Sequence, residues 1–177
     1  MAIPVRVGIS QCLLGENVRY DGGHKRDSVL IETLAQYVEW VPVCPEVEVG
    51  LGTPREPMHL VGDRQAPRLV TINTGVDLTE AMNRFAQQRV RELEALNLSG
   101  FVFKSASPSC GIKGVALFNA QGMETHDGVG LFARAFMAHF PDMPVEEESR
   151  LHDPQALKDF LERVRAYRQY RMQRHST

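Results

Sequence analysis

Gly-Phe-Val-Phe-Lys-Ser at 100–105 runs directly into Ser-Ala-Ser-Pro-Ser-Cys-Gly at 105–111. A short apolar run bounded by turn residues reads as a buried strand, here ending in a turn that carries Cys110. The same arrangement occurs twice upstream. Ile3, Val5, Val7 and Ile9 predict a strand over 3–10 that runs into a loop with Cys12. VEWVPVCP (38–45) predicts a second buried strand, stopped by Pro45 just past Cys44. Between and beyond these lie helical periods. The spacing predicts helices over 28–38 (Val29, Leu30, Leu34, Val38), over 78–96 (Leu78, Met82, Phe85, Val90, Leu93, Leu96) and over 130–140. Asp77 and Glu80 are expected to form a capping box on the second of these. Asp153-Pro154 starts a last helix with Leu157, Leu161, Val164 and Tyr167 as its core face. VALFN (115–119) adds a strand, and MHLV (58–61) with RLVTI (68–72) a hairpin around Gly62-Asp63. Strands alternating with helices predict an α/β chain. The expected form is a three-layer Rossmann-like fold with a mainly parallel sheet, helices on both faces and a small antiparallel hairpin. Glu146-Glu147-Glu148 is expected to be a solvated turn.

Composition sets outer bounds. The chain has 177 residues, 43% of them hydrophobic and 24% charged, which suits one soluble domain. The expected organisation is a domain over 1–150 and a C-terminal helix with a basic tail over 151–177. A net charge of −2 excludes a globally basic nucleic-acid binder. Mean hydropathy is −0.25, and no apolar run approaches the roughly 18 residues that span a bilayer. The start, MAIPVRVGIS, has no apolar signal region. A cytoplasmic location without membrane attachment is therefore expected. Three cysteines cannot all pair within the chain, and disulfides are rare in that compartment.

On this reading Cys12, Cys44 and Cys110 each follow the carboxyl end of a strand, where open α/β sheets bind ligands. Convergence of the three on one pocket is the expectation. The Ser- and Gly-rich turn around Cys110 can aim backbone N–H groups inward. With Lys104 or Lys113 nearby, it is expected to favour thiolate, the form that binds metal. A zinc site completed by His24, His59 or His126 is open on these residues alone, although no Cys-x(2–4)-Cys pair occurs. A 4Fe-4S cluster normally takes four cysteines; three would leave one iron open for Lewis-acid chemistry.

Gln-Cys-Leu-Leu-Gly (11–15), Arg-Tyr-Asp-Gly (19–22), Pro-Val-Cys-Pro-Glu (42–46), Thr-Pro-Arg-Glu-Pro-Met (53–58) and Lys-Ser-Ala-Ser-Pro-Ser-Cys-Gly (104–111) together resemble the thiouracil desulfidase family. The resemblance covers roughly 3–142. It implies a 4Fe-4S enzyme that removes sulfur from thiolated uracil without net redox change, releasing hydrogen sulfide. It implies Cys12, Cys44 and Cys110 as cluster ligands with one iron open, Glu46 as the acid/base carboxylate and Ser107 as a substrate-side serine. Ser105 and Ser109 lie close enough to share that role. Asp21, Arg55 and Lys104 are further substrate-binding candidates, the last two for a phosphate. Longer relatives carry a second domain and act on 4-thiouridine in tRNA. The tail here resembles the junction to that domain, and the sequence ends at Thr177. A small thiolated pyrimidine is thus expected over tRNA. Two other readings are a non-catalytic zinc or iron-sulfur module and an RNA-binding accessory domain. The second would use the basic stripe Lys158, Arg163, Arg165, Arg168, Arg171, Arg174 and His175.

Overall fold

The computed structural model describes residues 4–175. Ile3, the first residue of the expected opening strand, lies outside them. Strand β1 (Arg6–Ser10) pairs in parallel with β2 (Glu39–Val43) on one side and with β5 (Gly100–Phe103) on the other. β8 (Val145–Glu147) adds in parallel beyond β5, giving the order β2-β1-β5-β8. The chain leaves β1 for β2 in one direction and later returns to β5 on the opposite side. The crevice between the carboxyl ends of β1 and β5 is therefore the topological switch point, where such sheets bind ligands.

Alternation along these strands sorts side chains to two faces. Val7, Ile9 and Val102 face α1 (Ser28–Leu34) and α5 (Pro154–His175), meeting Leu30, Leu34, Phe160 and Val164. Val41, Val43, Phe101 and Phe103 face the other way, onto α3 (Thr79–Glu94) and α4 (Leu131–His139). Phe101 and Phe103 stack at 4.1 Å between ring centroids, and the Phe136 edge meets both rings at 4.8 and 5.5 Å. Gly8 sits opposite Phe101 in the ladder, and a Cβ there would lie 2.2 Å from the Phe101 ring. Only a residue without a side chain lets the ring lie across β1.

The expected hairpin belongs to a second sheet. β3 (Met58–Asp63) and β4 (Ala66–Thr71) pair antiparallel. β3 then pairs in parallel with β6 (Val115–Phe118), and β6 antiparallel with β7 (Glu124–Gly128). Leu60, Leu69, Val115 and Leu117 pack this sheet on the outer side of α3 and α4 through Met82, Phe85 and Leu131. The α/β/α unit thus carries a mixed sheet as an added layer.

Several expectations are corrected. α1 ends at Leu34 rather than at residue 38. Pro45 does not merely stop β2: it occupies the first turn of a one-turn helix, α2 (Pro45–Glu48), where a missing N–H costs nothing. The capping box fails. The Asp77 carboxylate accepts from Thr79 N–H, while Glu80 pairs with Arg84. The Glu146–Glu148 run is not a solvated turn. Glu146 and Glu147 lie in β8, and all three glutamates are buried.

Candidate active site

The carboxyl ends of β1, β2 and β5 open on one pocket of about 380 Å³. Cys12 enters it from the 3-10 turn Gln11–Leu14 after β1, Cys44 from the amino end of α2 after β2, and Cys110 from the loop after β5. The expected convergence is realised. Cys12 is half-buried, and Cys44 and Cys110 are buried; all three are free thiols. Burial pushes the Cys12 thiol up to about 11 and raises Cys44 and Cys110 as well. The expectation that neighbouring donors and lysines favour thiolate is therefore reversed. Lys104 pulls Cys12 downward, but loss of solvent outweighs it. Were these sulfurs to bind a metal group, they would release protons on doing so.

The Cys110 loop is tightly tied. Ser107 Oγ accepts from Ser109 N–H at 3.2 Å and Cys110 N–H at 3.0 Å. The loop's carbonyls in turn serve the start of α4. Gly130 N–H donates to Gly111 O, Leu131 N–H to Pro108 O and Ala133 N–H to Ser109 O. Ala106, on the pocket wall, holds the left-handed conformation at φ 62°, a strained backbone for a residue with a Cβ.

Glu46 lines the same pocket. Arg55 Nε donates to its Oε1 and Ser109 Oγ to its Oε2, both at 3.0 Å. The Arg55 side chain is 7% exposed and also donates to Gly52 O. Arg55 and Ser109 thus fix the carboxylate; Ser109 is fully buried and does not line the pocket. Ser107 and Ser105 do line it. Ser105 Oγ and Lys104 Nζ are committed to Glu148 Oε1 at 2.6 and 3.0 Å. Asp21 stands outside the pocket lining, where its carboxylate accepts from Gly23 N–H. The sequence reading missed Arg19, Tyr20 and Lys25, which line the mouth. Arg19 and Tyr20 lay within a motif already quoted. Glu148 was masked by its place in an acidic run.

The donor set bears on which group the pocket suits. None of His24, His59 and His126 lines it. His24 accepts from Arg26 N–H, His59 packs on Phe118 at 4.9 Å, and His126 pairs with Glu124. Among the described residues no three His, Cys, Asp or Glu side chains are grouped to hold a single ion. Three thiols on three elements around a pocket of this size suit a polynuclear sulfur-bridged group better than one zinc, whose Zn–S bonds of about 2.3 Å demand a tight cage.

The solved structure of the [4Fe-4S]-dependent thiouracil desulfidase TudS superposes with a TM-score of 0.68 at 31% identity, covering 87% of this chain and 98% of that one. YbbK of Bacillus subtilis (strain 168), described as an uncharacterized protein, is 34% identical over 109 residues, which is 58% of this chain and 71% of its own length. A sequence profile for 2-thiouracil desulfurase matches residues 7–148, from β1 through the last of the buried glutamates. The chain belongs to the 2-thiouracil desulfurase family.

Proposed function

We propose that this chain hydrolyses the C=S bond of a thiolated uracil, using a 4Fe-4S cluster held by Cys12, Cys44 and Cys110. The observation that carries the reading is the meeting of those three sulfurs and the Glu46 carboxylate on one pocket. When bound, such a cluster supplies a Lewis-acidic, sulfur-seeking iron without a protein ligand. The remaining work falls to the chain. The C=S bond is replaced by C=O from water, and both water hydrogens leave with sulfur as H₂S, so no electrons are consumed. Glu46 takes the proton from the attacking water and returns it to the departing sulfur or the ring. Assistance of this kind contributes about 10²–10⁴-fold. Arg55 and Ser109 hold the carboxylate so that it does not rotate away. Ser107 spends its oxygen on two N–H groups, which leaves its own O–H to donate to substrate or water. Arg55 is 7% exposed and Ser109 is fully buried, so their contacts to Glu46 are shielded from bulk solvent, which strengthens them.

The mouth favours a phosphorylated form, such as 4-thiouridine monophosphate, over 2- or 4-thiouracil and 4-thiouridine. Arg55 and Lys104 are each held by a glutamate. Among the described residues no carboxylate pairs with Arg19 or Lys25, and both line the pocket. Arg171 of α5 is less suited to carrying tRNA to this pocket. Arg171 donates to Leu98 O, Asn97 O and Ser99 Oγ, below the amino end of β5 and so at the opposite edge of the sheet.

Protein purified without oxygen should contain iron and acid-labile sulfide near four each per chain, the content of such clusters. It should release sulfide from 4-thiouridine monophosphate faster than from 2-thiouracil. Zinc without labile sulfide, or a full cluster without sulfide release from any thiolated uracil, would overturn the proposal. Release only from thiolated tRNA would move the substrate to the polynucleotide.

A further inference from the structure

Three consecutive glutamates at the end of β8 are buried, and each has a different client. Glu146 pairs with Arg150, in the 3-10 turn after β8, and with Arg163, on α5. Glu147 accepts from Ile112 N–H at 2.9 Å, just past Cys110. Glu148 accepts from Ser105 N–H at 2.7 Å, Ser105 Oγ at 2.6 Å and Lys104 Nζ at 3.0 Å, just before it. Two carboxylates therefore fasten the two ends of the loop that carries Ser107, Ser109 and Cys110. Glu148 makes the stronger attachment, with one ion pair and two charge-assisted hydrogen bonds in a largely buried setting. Its ammonium partner lines the pocket and acts electrostatically on Cys12. Lys104 also borders a neighbouring cavity of about 550 Å³ with Glu148, Asp27 and His152. It is thus a wall between two spaces rather than a free cation.

We propose that Glu148 is a positioning residue of this site: through Lys104 and Ser105 it fixes the Cys110 loop and holds the lysine ammonium against the pocket wall. The proposal deepens the desulfuration reading and rests on it for its kinetic consequence. The loop consequence stands apart.

Glu148→Gln keeps the side chain's size and one acceptor for Ser105 N–H, but removes the charge facing Lys104. In the anaerobically purified full chain, this variant should speed amide exchange over residues 105–112 by at least about tenfold. It should lower kcat for sulfide release by at least about tenfold while KM moves less than about threefold. Glu146→Gln, on the same strand but paired with Arg150 and Arg163, should do neither. Should Glu148→Gln fold poorly, Lys104→Met tests the pair from its other end and should loosen the same amides. The double variant should be no slower than the slower single, because both break one linkage. Parent-like exchange and kcat in Glu148→Gln would overturn the proposal. So would equal losses in Glu146→Gln, or losses that multiply in the double variant. If the parent chain releases no sulfide at all, the desulfuration reading fails while the exchange comparison still decides the role of Glu148.

Discussion

Two neighbours fix the Glu46 carboxylate, Arg55 at one oxygen and Ser109 at the other, and the proposed proton transfer falls to this group. Glu46→Gln keeps the shape and can still accept from Arg55, but it cannot take a proton. Sulfide release should fall at least about 10²-fold with iron and labile sulfide unchanged; a variant within threefold of the parent would remove Glu46 from the reaction. Glu147 shows the opposite balance. Its carboxyl is raised above the ordinary value of 4.5, chiefly because burial penalises the charge, although Ile112 N–H and Lys113 oppose this. Between 4.5 and the raised value the folded chain binds more protons than the unfolded one, so stability falls as pH climbs through that window. Above it the buried charge is a standing cost. Glu147→Gln should therefore raise the melting temperature at pH 7, and the gain should vanish near pH 3, below the range in which the carboxyl ionises in either state. Thermal melts of both proteins at the two pH values check this; an equal difference at both would show that charge is not the cause.

At the scale of the element, the Cys110 loop and the start of α4 form one unit. Gly130 opens α4 with its Cα pressed on the loop backbone. A Cβ there would lie 2.5 Å from Ser109 C, 2.6 Å from Ser109 O and 2.7 Å from Cys110 N. None of those atoms can swing aside as a side-chain tip does. Gly130→Ala should destabilise by about 1–3 kcal/mol, the usual cost of overpacking, and should lower iron content by moving Cys110. Full iron and an unchanged melting temperature would contradict this coupling. Such elements also mark what a sequence discloses. β1, β2, β5 and α3 are written in apolar periods, and the cysteines were legible because each follows such a run. β7, Glu-Thr-His-Asp-Gly, is mostly exposed and held by pairing with β6, so nothing in its own residues announces a strand. β8 was misread because a glutamate run is ordinarily solvated, and its burial depends on Lys104, Ile112 and Arg163, all distant in the chain. Arg55 and Ser109 stand out in the sequence only as substrate-binding candidates, whereas in the structure both bind Glu46. That role follows from α2 folding Glu46 back toward two later loops.

Across the whole molecule, the pocket joins parts of the chain that are otherwise held together mainly through the sheet. Cys12, Cys44 and Cys110 stand after β1, β2 and β5, three adjacent strands whose loops share few direct bonds. Arg55 N–H to Tyr20 O and the weak Cys44 Sγ contact with Val18 O at 3.8 Å are two of them. A group bound to all three sulfurs would tie these loops directly. A ligand that binds only the folded state adds stability by mass action, about 2.7 kcal/mol at a hundredfold excess over its dissociation constant. For a chain of this length that is roughly 5–10 °C in melting temperature. Anaerobic protein with its cluster should therefore melt at least that much higher than the same protein after chelation and removal of iron. Because the effect needs all three attachments, Cys12→Ser, Cys44→Ser and Cys110→Ser should each lose nearly the whole increment rather than a third of it. Serine hydroxyls are poor ligands for iron, and a cluster held at two points exchanges into solution. Melting curves of the parent and the three variants, recorded without oxygen before and after chelation, would show this. If one variant kept the full increment, that cysteine would not be a ligand, and the cluster would need another residue of the pocket in its place.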